Sequence, residues 1–565
     1  MEQQRGVSIP GRLNQQHFTS LVSLFTDVCH RYGSRPAFSS FGRCLSYSEL
    51  AQMSAAFASY IQHFTELKPG DRIAIQMPNM VQYPVVLFGA LRAGLVVVNT
   101  NPLYTSAEMR HQFCDAGVKA VVIHKSMAHK LEPIIDQTRI QHLFVTQIGD
   151  LHGMFRRAVL NGAIKYLKRM EPEYLLPGAV ELTEVLHRGQ PEQLMEHRSR
   201  PEDLAVLQYT GGTTGTSKGA MLSHANLISN LLQVSERLKG APDGWQQDVV
   251  SPLPLYHIYA FIISLVVMEA GGHSLLITNP RDLDGFTKTL RGRSISAFIG
   301  LNTLFSALCN HAGFRQLDFD QLKLTVSGGM ALTHGAADRW LQTTGCPIME
   351  GYGLTEASPV VAFNPPGAVQ LGTIGLPVSD CDVKLIDEQE QEVMPGECGE
   401  LCVSGPQVMQ GYWRQPGATA ACFTRDGYLK TGDMARRGGD GYLTIVDRIK
   451  DIIIVSGFNV YPNELEDLIS THPDVLECAV VGVPDRETGE RVRLFVVPVD
   501  MPRFDETALQ SWCRQQLAAY KVPKDIQCLD TLPKTPVGKV LRRALRQPVS
   551  AMPRSGDNPG VEQQA

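Results

Sequence analysis

The 565 residues contain 12 cysteines but no C-x-x-C pair, the closest two being Cys398 and Cys402. That scatter excludes a zinc ribbon and a thioredoxin-like redox motif, and it suits reduced thiols in a cytoplasmic chain. Long apolar runs are missing as well. The longest stretch, residues 258–268, is interrupted by Ser264 and falls well short of the ~20 residues that a membrane-spanning helix needs. Charge of neither sign dominates: 52 basic residues face 57 acidic ones, for a net charge of −5. The balance gives no reason to expect nucleic acid as a partner, nor a polybasic membrane surface. The start, Met1 to Arg5, leads into polar sequence, so no secretory signal is expected. There is no internal repeat. A Walker A loop is absent, because Gly219 follows Lys218 where Ser or Thr is required, and a kinase-type G-x-G-x-x-G loop does not fit.

What the chain does have is apolar mass. Apolar residues make up 43% and charged residues 19%, enough for a large core and too apolar for global disorder. The length implies roughly three to four structural units. From Leu67 onward short apolar runs alternate with amphipathic stretches: a strand at 72–76, a helix at 83–93, strands at 95–98 and 119–123. Such alternation predicts parallel sheets covered on both faces. Ser46 and Glu49 fit a capping box at the start of another helix. Near Gly372 the texture changes to short strands and turns, which predicts a small antiparallel or barrel-like unit. A last βα portion runs to about Arg546, and the Pro-, Gly-, Ser- and Gln-rich tail 547–565 is expected to be disordered. The fold class expected is α/β, or α+β overall: two βα-layered sheets and a β-barrel-like subdomain in residues 1–446, then a small α+β domain over 447–546.

One stretch, residues 209–219, concentrates chemistry. It holds Tyr209, Thr210, Gly211, Gly212, Thr213, Thr214, Gly215, Thr216, Ser217, Lys218 and Gly219 between an apolar strand and a strand–helix unit capped near Ser223. Glycines let backbone N–H groups approach phosphate oxygens, hydroxyls donate to the same oxygens, and Lys218 adds charge. The composition suits an oligophosphate. Gly351, Tyr352, Gly353, Leu354, Thr355 and Glu356 place an aromatic ring between glycines, where it can lie flat on a planar ligand, with Glu356 as a hard oxygen donor for Mg²⁺. Asp433 follows a tight turn and can accept both hydroxyls of a ribose. Lys539 follows Pro536, Val537 and Gly538, a stiff turn able to present one ammonium group. Around Phe155, the residues Arg156, Arg157, Lys165, Lys168 and Arg169 alternate with apolar ones. That segment is expected to be a surface helix, with anionic lipid or an acyl donor as its functional contact.

These stretches, in this order, resemble the superfamily of acyl-CoA synthetases, peptide-synthetase adenylation domains and luciferases over residues 18–545. The segment 253–258, the stretch 351–359 and the run 446–464 are most like bacterial long-chain fatty-acid–CoA ligases. The resemblance implies ATP, coenzyme A and a fatty acid as substrates, Mg²⁺ as cofactor, and two half-reactions through an acyl-adenylate. It implies that residues 210–218 and Lys218 hold the β- and γ-phosphates, and that Glu356 with Thr210 or Thr213 holds Mg²⁺. Tyr352, between Gly351 and Gly353, would stack on adenine with Thr355 near a phosphate. Asp433 and Arg448 would attend the nucleotide, and Lys539 would bridge carboxylate and α-phosphate. His257 would close the carboxylate site. Phe261, Gly328, Gly329 and Gly353 would border the acyl chain, with Phe261 as an aromatic gate or a core residue. Asp447 falls at the hinge position, and the loop of Ser456, Gly457 and Phe458 at the pantetheine channel. A medium-chain or aryl carboxylate–CoA ligase and a fatty-acyl-AMP ligase stay open as alternatives. So do peripheral contact with the inner face of the membrane and a homodimer.

Overall fold

The computed structural model describes residues 18–167, 171–210, 217–535 and 539–546. The expectations for Gly211, Gly212, Thr213, Thr214, Gly215 and Thr216, for Lys168 and Arg169, for Pro536, Val537 and Gly538, and for the tail 547–565 lie outside the described residues.

Two large sheets form the body of the molecule. One has nine strands. Six of them, Ile348–Gly353, Leu324–Gly328, Ala297–Gly300, Val249–Ser251, Ser274–Leu276 and Pro36–Ser40, pair in parallel in that order, and antiparallel strands close both edges. The other sheet has seven strands, parallel throughout except where Leu204–Thr210 and Lys218–Ser223 form an antiparallel pair. Central strands such as Val96–Asn99 and Ala297–Gly300 are buried at every position, as a sheet covered on both faces requires. The helix Tyr47–Phe64 carries the Ser46–Glu49 capping box and shares a continuous core with both sheets. The helix His224–Leu238 is likewise boxed, by Ser223 and Asn226.

The strand-and-turn region after Gly372 is an antiparallel sheet of four strands, Asp382–Ile386, Cys398–Ser404, Leu429–Arg437 and Leu443–Arg448. Its two edge strands do not pair with each other, so the expected barrel is corrected to an open sheet. Closure depends on pairing between distant edges, which local alternation does not encode.

Within Leu443–Arg448, Asp447 and Arg448 still pair with Met434 and Asp433. The 3-10 turn Ile449–Asp451 then leads to Ile453–Val455, in a separate five-stranded sheet. That sheet is built on the long hairpin Val475–Asp485/Gly489–Pro498 and is covered by Pro462–Ile469 and Glu506–Gln516. Its apolar side chains cluster apart from those of the large domain. The basic segment forms the surface helix Met154–Gly162, none of whose residues is buried; Met154 and Phe155 are 90% and 82% exposed. Among the described residues no helix is long and apolar enough to cross a membrane.

Candidate active site

A cleft of about 1800 Å³ opens where the strands of the large sheets end and the small domain meets them. Thr210, Gly328 and Gly353 are the last residues of three of these strands. Open α/β sheets present their ligand sites at such carboxyl ends.

On one side, Thr210 pairs in register with Lys218 across the antiparallel pair, so the two lie opposite each other at its end. The Lys218 ammonium lies 5.0 Å from the centre of the Tyr412 ring. The Tyr412 hydroxyl donates to Glu356 Oε1 at 2.7 Å. Tyr412 thus carries both charged groups of this wall, and no sequence pattern had singled it out. Its segment is held by backbone bonds from Met221 N to Gly411 O (2.9 Å) and from Trp413 N to Gly219 O (2.8 Å). Ser217 lines the cleft and its carbonyl accepts from His111 Nε2. Tyr209 is turned into the core, where its hydroxyl donates to Asp115 Oδ2 at 2.5 Å. Its ring packs so close to Gly219 that a methyl group there would sit 3.0 Å away.

On the other side, the Tyr352 hydroxyl donates to Asp433 Oδ2 at 2.5 Å, and Arg448 Nε pairs with Asp433 Oδ1 at 2.9 Å. The Asp433–Arg448 register of the four-stranded sheet sets this pair. Burial, and then the Asp433 charge, push the Tyr352 phenol well above its ordinary range, so Tyr352 stays a donor. Gly353 is obligatory: a Cβ there would lie 2.1 Å from the Pro359 carbonyl oxygen. At Gly351 a Cβ would meet the Phe363 ring at 2.8 Å. Thr355 opens the short turn Thr355–Ala357 beside Glu356.

Lys539 enters the same cleft from the small domain. It is tied to Thr535 by its N–H to Oγ1 (3.1 Å) and by its carbonyl accepting from Thr535 N (2.7 Å). Burial, then the neighbouring Arg448 guanidinium, bring the Lys539 ammonium down to about 8. His257 caps the helix Ile258–Glu269 by accepting from Tyr259 N. Burial, then the charge of Lys539, push its imidazole down to about 3, so it is neutral. Gly329, at φ +87, puts its open side 3.8 Å from Lys539 Cε.

The acyl-side expectations fare differently. Phe261 is fully buried in the core and does not line the cleft; Tyr259, two residues earlier, does. The space beside Gly328 is taken by the Tyr259 ring, 3.0 Å from where a Cβ would stand. Gly328 and Gly353 both line the cleft, and at each the close approach of a neighbour calls for glycine. Ser456 and Gly457, at φ 50 and 84, make the two-residue turn between Ile453–Val455 and Phe458–Val460, where a tight hairpin needs positive φ at both positions. They are exposed, and Phe458 stacks on Tyr520 at 4.9 Å; none of the three lines the cleft. Asp447 is buried, accepting from Arg448 N and from Asn463 N at 2.8 Å each. Burial raises it to about 6. Glu350, which the sequence reading missed, accepts from Leu332 N at 3.1 Å inside the cleft, and burial lifts it to about 8.

The AMP-binding enzyme family matches residues 25–413, and the AMP-binding enzyme C-terminal domain matches residues 464–539. The chain is 48% identical over 540 residues to a long-chain-fatty-acid–CoA ligase of Escherichia coli, covering 95% of this chain and 96% of the relative. It is 33% identical over 509 residues to a feruloyl-CoA synthase of an Amycolatopsis species, covering 90% and 94%. The crystal structure of ATP-bound MatB from Rhodopseudomonas palustris superposes with a TM-score of 0.79 at 29% identity, over 93% of this chain and 98% of that one. With its fold, its cleft and its sequence in agreement, the chain belongs to the family of AMP-binding enzymes.

Proposed function

We propose that this chain is a fatty-acid–CoA ligase, acting on long-chain acids through an acyl-adenylate. The observation that carries the reading is the entry of Lys539 from the small domain into the cleft that holds Tyr352, Asp433 and Arg448. The 48% identity to a ligase of that name supports the acid class.

In the first half-reaction a carboxylate oxygen attacks the α-phosphorus of ATP, and the bond to the oxygen bridging to the β-phosphate breaks. Pyrophosphate leaves and acyl-adenylate remains. Such a displacement needs positioning and charge more than covalent help. Lys539 lies between the two reacting groups as a cation. Lys218 and the hydroxyl-rich stretch 210–217 hold the leaving pyrophosphate, Tyr352 packs against adenine, and Asp433 takes the ribose hydroxyls. Neutral His257 borders the carboxylate without pairing its charge. Mg²⁺ is held by one or two carboxylates plus nucleotide phosphates. Glu356, with Thr210, fits that role, and among the described residues no cluster of three or more ligating side chains exists for a metal held by protein alone. There the ion would neutralise the departing phosphates.

In the second half-reaction the coenzyme A sulfur attacks the acyl carbonyl carbon, and the bond to AMP breaks. The small domain turns at the passage Ile449–Asp451, next to buried Asp447. Lys539 withdraws and the Ser456–Gly457–Phe458 hairpin reaches the pantetheine channel. The exposed apolar side chains of Met154–Gly162 would rest on the membrane surface into which fatty acids partition; flotation with anionic vesicles tests this.

A panel of straight-chain and aryl acids with coenzyme A and Mg-ATP, scored for AMP and thioester, tests the reading. Thioester and AMP in equal amounts, greatest with long chains, are expected. Absence of thioester with every acid overturns it. Adenylate without thioester marks an acyl-AMP ligase. A preference for aryl acids marks the second reading, which the likeness to feruloyl-CoA synthase favours.

A further inference from the structure

The small domain also touches the large one at a second place along the cleft, where His334 meets Asp467. Helix His334–Thr344 of the large domain starts at N-cap Thr333, whose N–H and hydroxyl both donate to Asn302 Oδ1, at 3.0 and 3.1 Å. The N–H of His334 is one of the first-turn donors that a helix leaves without an internal partner. It donates to Asp467 Oδ1 at 3.1 Å. The His334 Nδ1 lies 3.0 and 2.9 Å from the two oxygens of the same carboxylate. Asp467 belongs to Pro462–Ile469 of the small domain, so a carboxylate from one domain caps a helix of the other. A negative charge at that end is also favoured by the helix dipole. One residue further, Gly335 lets the backbones come together: a Cβ there would lie 3.0 Å from the Ser470 carbonyl oxygen.

Helix Pro462–Ile469 is in turn bound rigidly to the catalytic end of the small domain. Arg542, three residues beyond Lys539, donates to Glu466 Oε2 (2.7 Å) and Asn463 Oδ1 (2.9 Å), and Asn463 N donates to Asp447 Oδ2. Asp467 thus shares a helix with Asn463, which binds Asp447 and Arg542, and with Glu466, which binds Arg542.

We propose that Asp467, seated on the ring and the N–H of His334 in the first turn of helix His334–Thr344, is a positioning latch that holds the small domain in the orientation that delivers Lys539. The inference rests on the ligase reading for its kinetic consequence and on geometry alone for its conformational one. Turning the small domain pulls Asp467 off the helix, so the latch favours adenylate formation over thioester formation.

The test uses the full chain with Asp467→Ala, Asp467→Asn and Gly335→Ala. Fatty-acid-dependent ATP–pyrophosphate exchange reads the first half-reaction, and conversion of supplied palmitoyl-adenylate reads the second. The distance distribution between one spin label on each domain, in protein without ligands, reads the latch itself. Loss of the hydrogen bonds that His334 makes through its N–H and its ring should slow exchange roughly three- to tenfold in Asp467→Ala. The second half-reaction should be undiminished and the interdomain distances should spread. Asp467→Asn, which keeps an acceptor for the His334 N–H, should recover part of the exchange, and Gly335→Ala should shift both readouts in the direction of Asp467→Ala. Equal slowing of both half-reactions, or distances unchanged from the parent protein, overturns the latch. If the parent protein makes no thioester with any acid, the ligase reading fails, while the distance measurement still decides the latch.

Discussion

The hydroxyl of Tyr352 donates to Asp433 at 2.5 Å, joining the end of a nine-stranded sheet to the middle of a four-stranded one. The bond fixes the ring and the carboxylate relative to each other before any nucleotide arrives. Tyr352→Phe keeps the ring and removes the donor. Asp433 retains Arg448, so the expected loss is about tenfold in nucleotide affinity, with little change in kcat. Isothermal titration with ATP analogues and the KM for ATP measure it.

The proposed bridging of carboxylate and α-phosphate requires a charged Lys539, and burial with Arg448 nearby brings it down to about 8. The first half-reaction should therefore decline as pH rises through about 8, and the second half-reaction should not share that limb. Lys539→Arg stays cationic throughout. Its residual exchange activity, however low, should show no decline in that window. Pyrophosphate exchange across pH 6.5–9.5 gives both profiles.

Away from the cleft, His273 pairs with Asp248 at 2.9 Å and with Ser39 Oγ at 2.8 Å, between strands of the nine-stranded sheet. Burial works against its charge, but Asp248 and then Cys44 outweigh burial and hold it at about 9, above its ordinary 6.5. Its folded value is raised, so the stabilisation is complete below about 6.5 and fades as pH rises through about 9. His273→Gln should cost on the order of 3 kcal/mol at pH 6 and far less at pH 9.5. Urea titrations of both proteins at the two pH values make the comparison.

Gly353→Ala forces a methyl group against the Pro359 carbonyl. A contact with backbone cannot relax by a side-chain rotation, and the expected destabilisation is about 2–3 kcal/mol. The turn that carries Thr355 and Glu356 should shift with it. Thermal unfolding with and without nucleotide measures both effects.

Much of this site was legible in the sequence because its backbone needs are local. The glycines around Tyr352, the Ser46 and Ser223 caps and the alternating buried strands follow from neighbours within a few residues. What was not legible depends on long-range packing. Tyr412 reaches Lys218 and Glu356 only because its segment pairs with the edge of Lys218–Ser223. Tyr259 brings its ring against Gly328. Asp467 and His334 are 133 residues apart in the chain, and neither stands in a recognisable pattern. The open four-stranded sheet could be told from a barrel only by which edges pair.

The central claim is that the cleft, with Lys539 in it, is the adenylating arrangement and that thioester formation does not use it. The most direct measurement compares the two half-reactions in Lys539→Ala. Fatty-acid-dependent ATP–pyrophosphate exchange should fall by a factor of 100 or more, on the order expected for removing a charge aimed at the reacting centre, while supplied acyl-adenylate is still converted to acyl-CoA at near the parent rate. Exchange that persists in Lys539→Ala, or an equal loss of both half-reactions, would contradict the account.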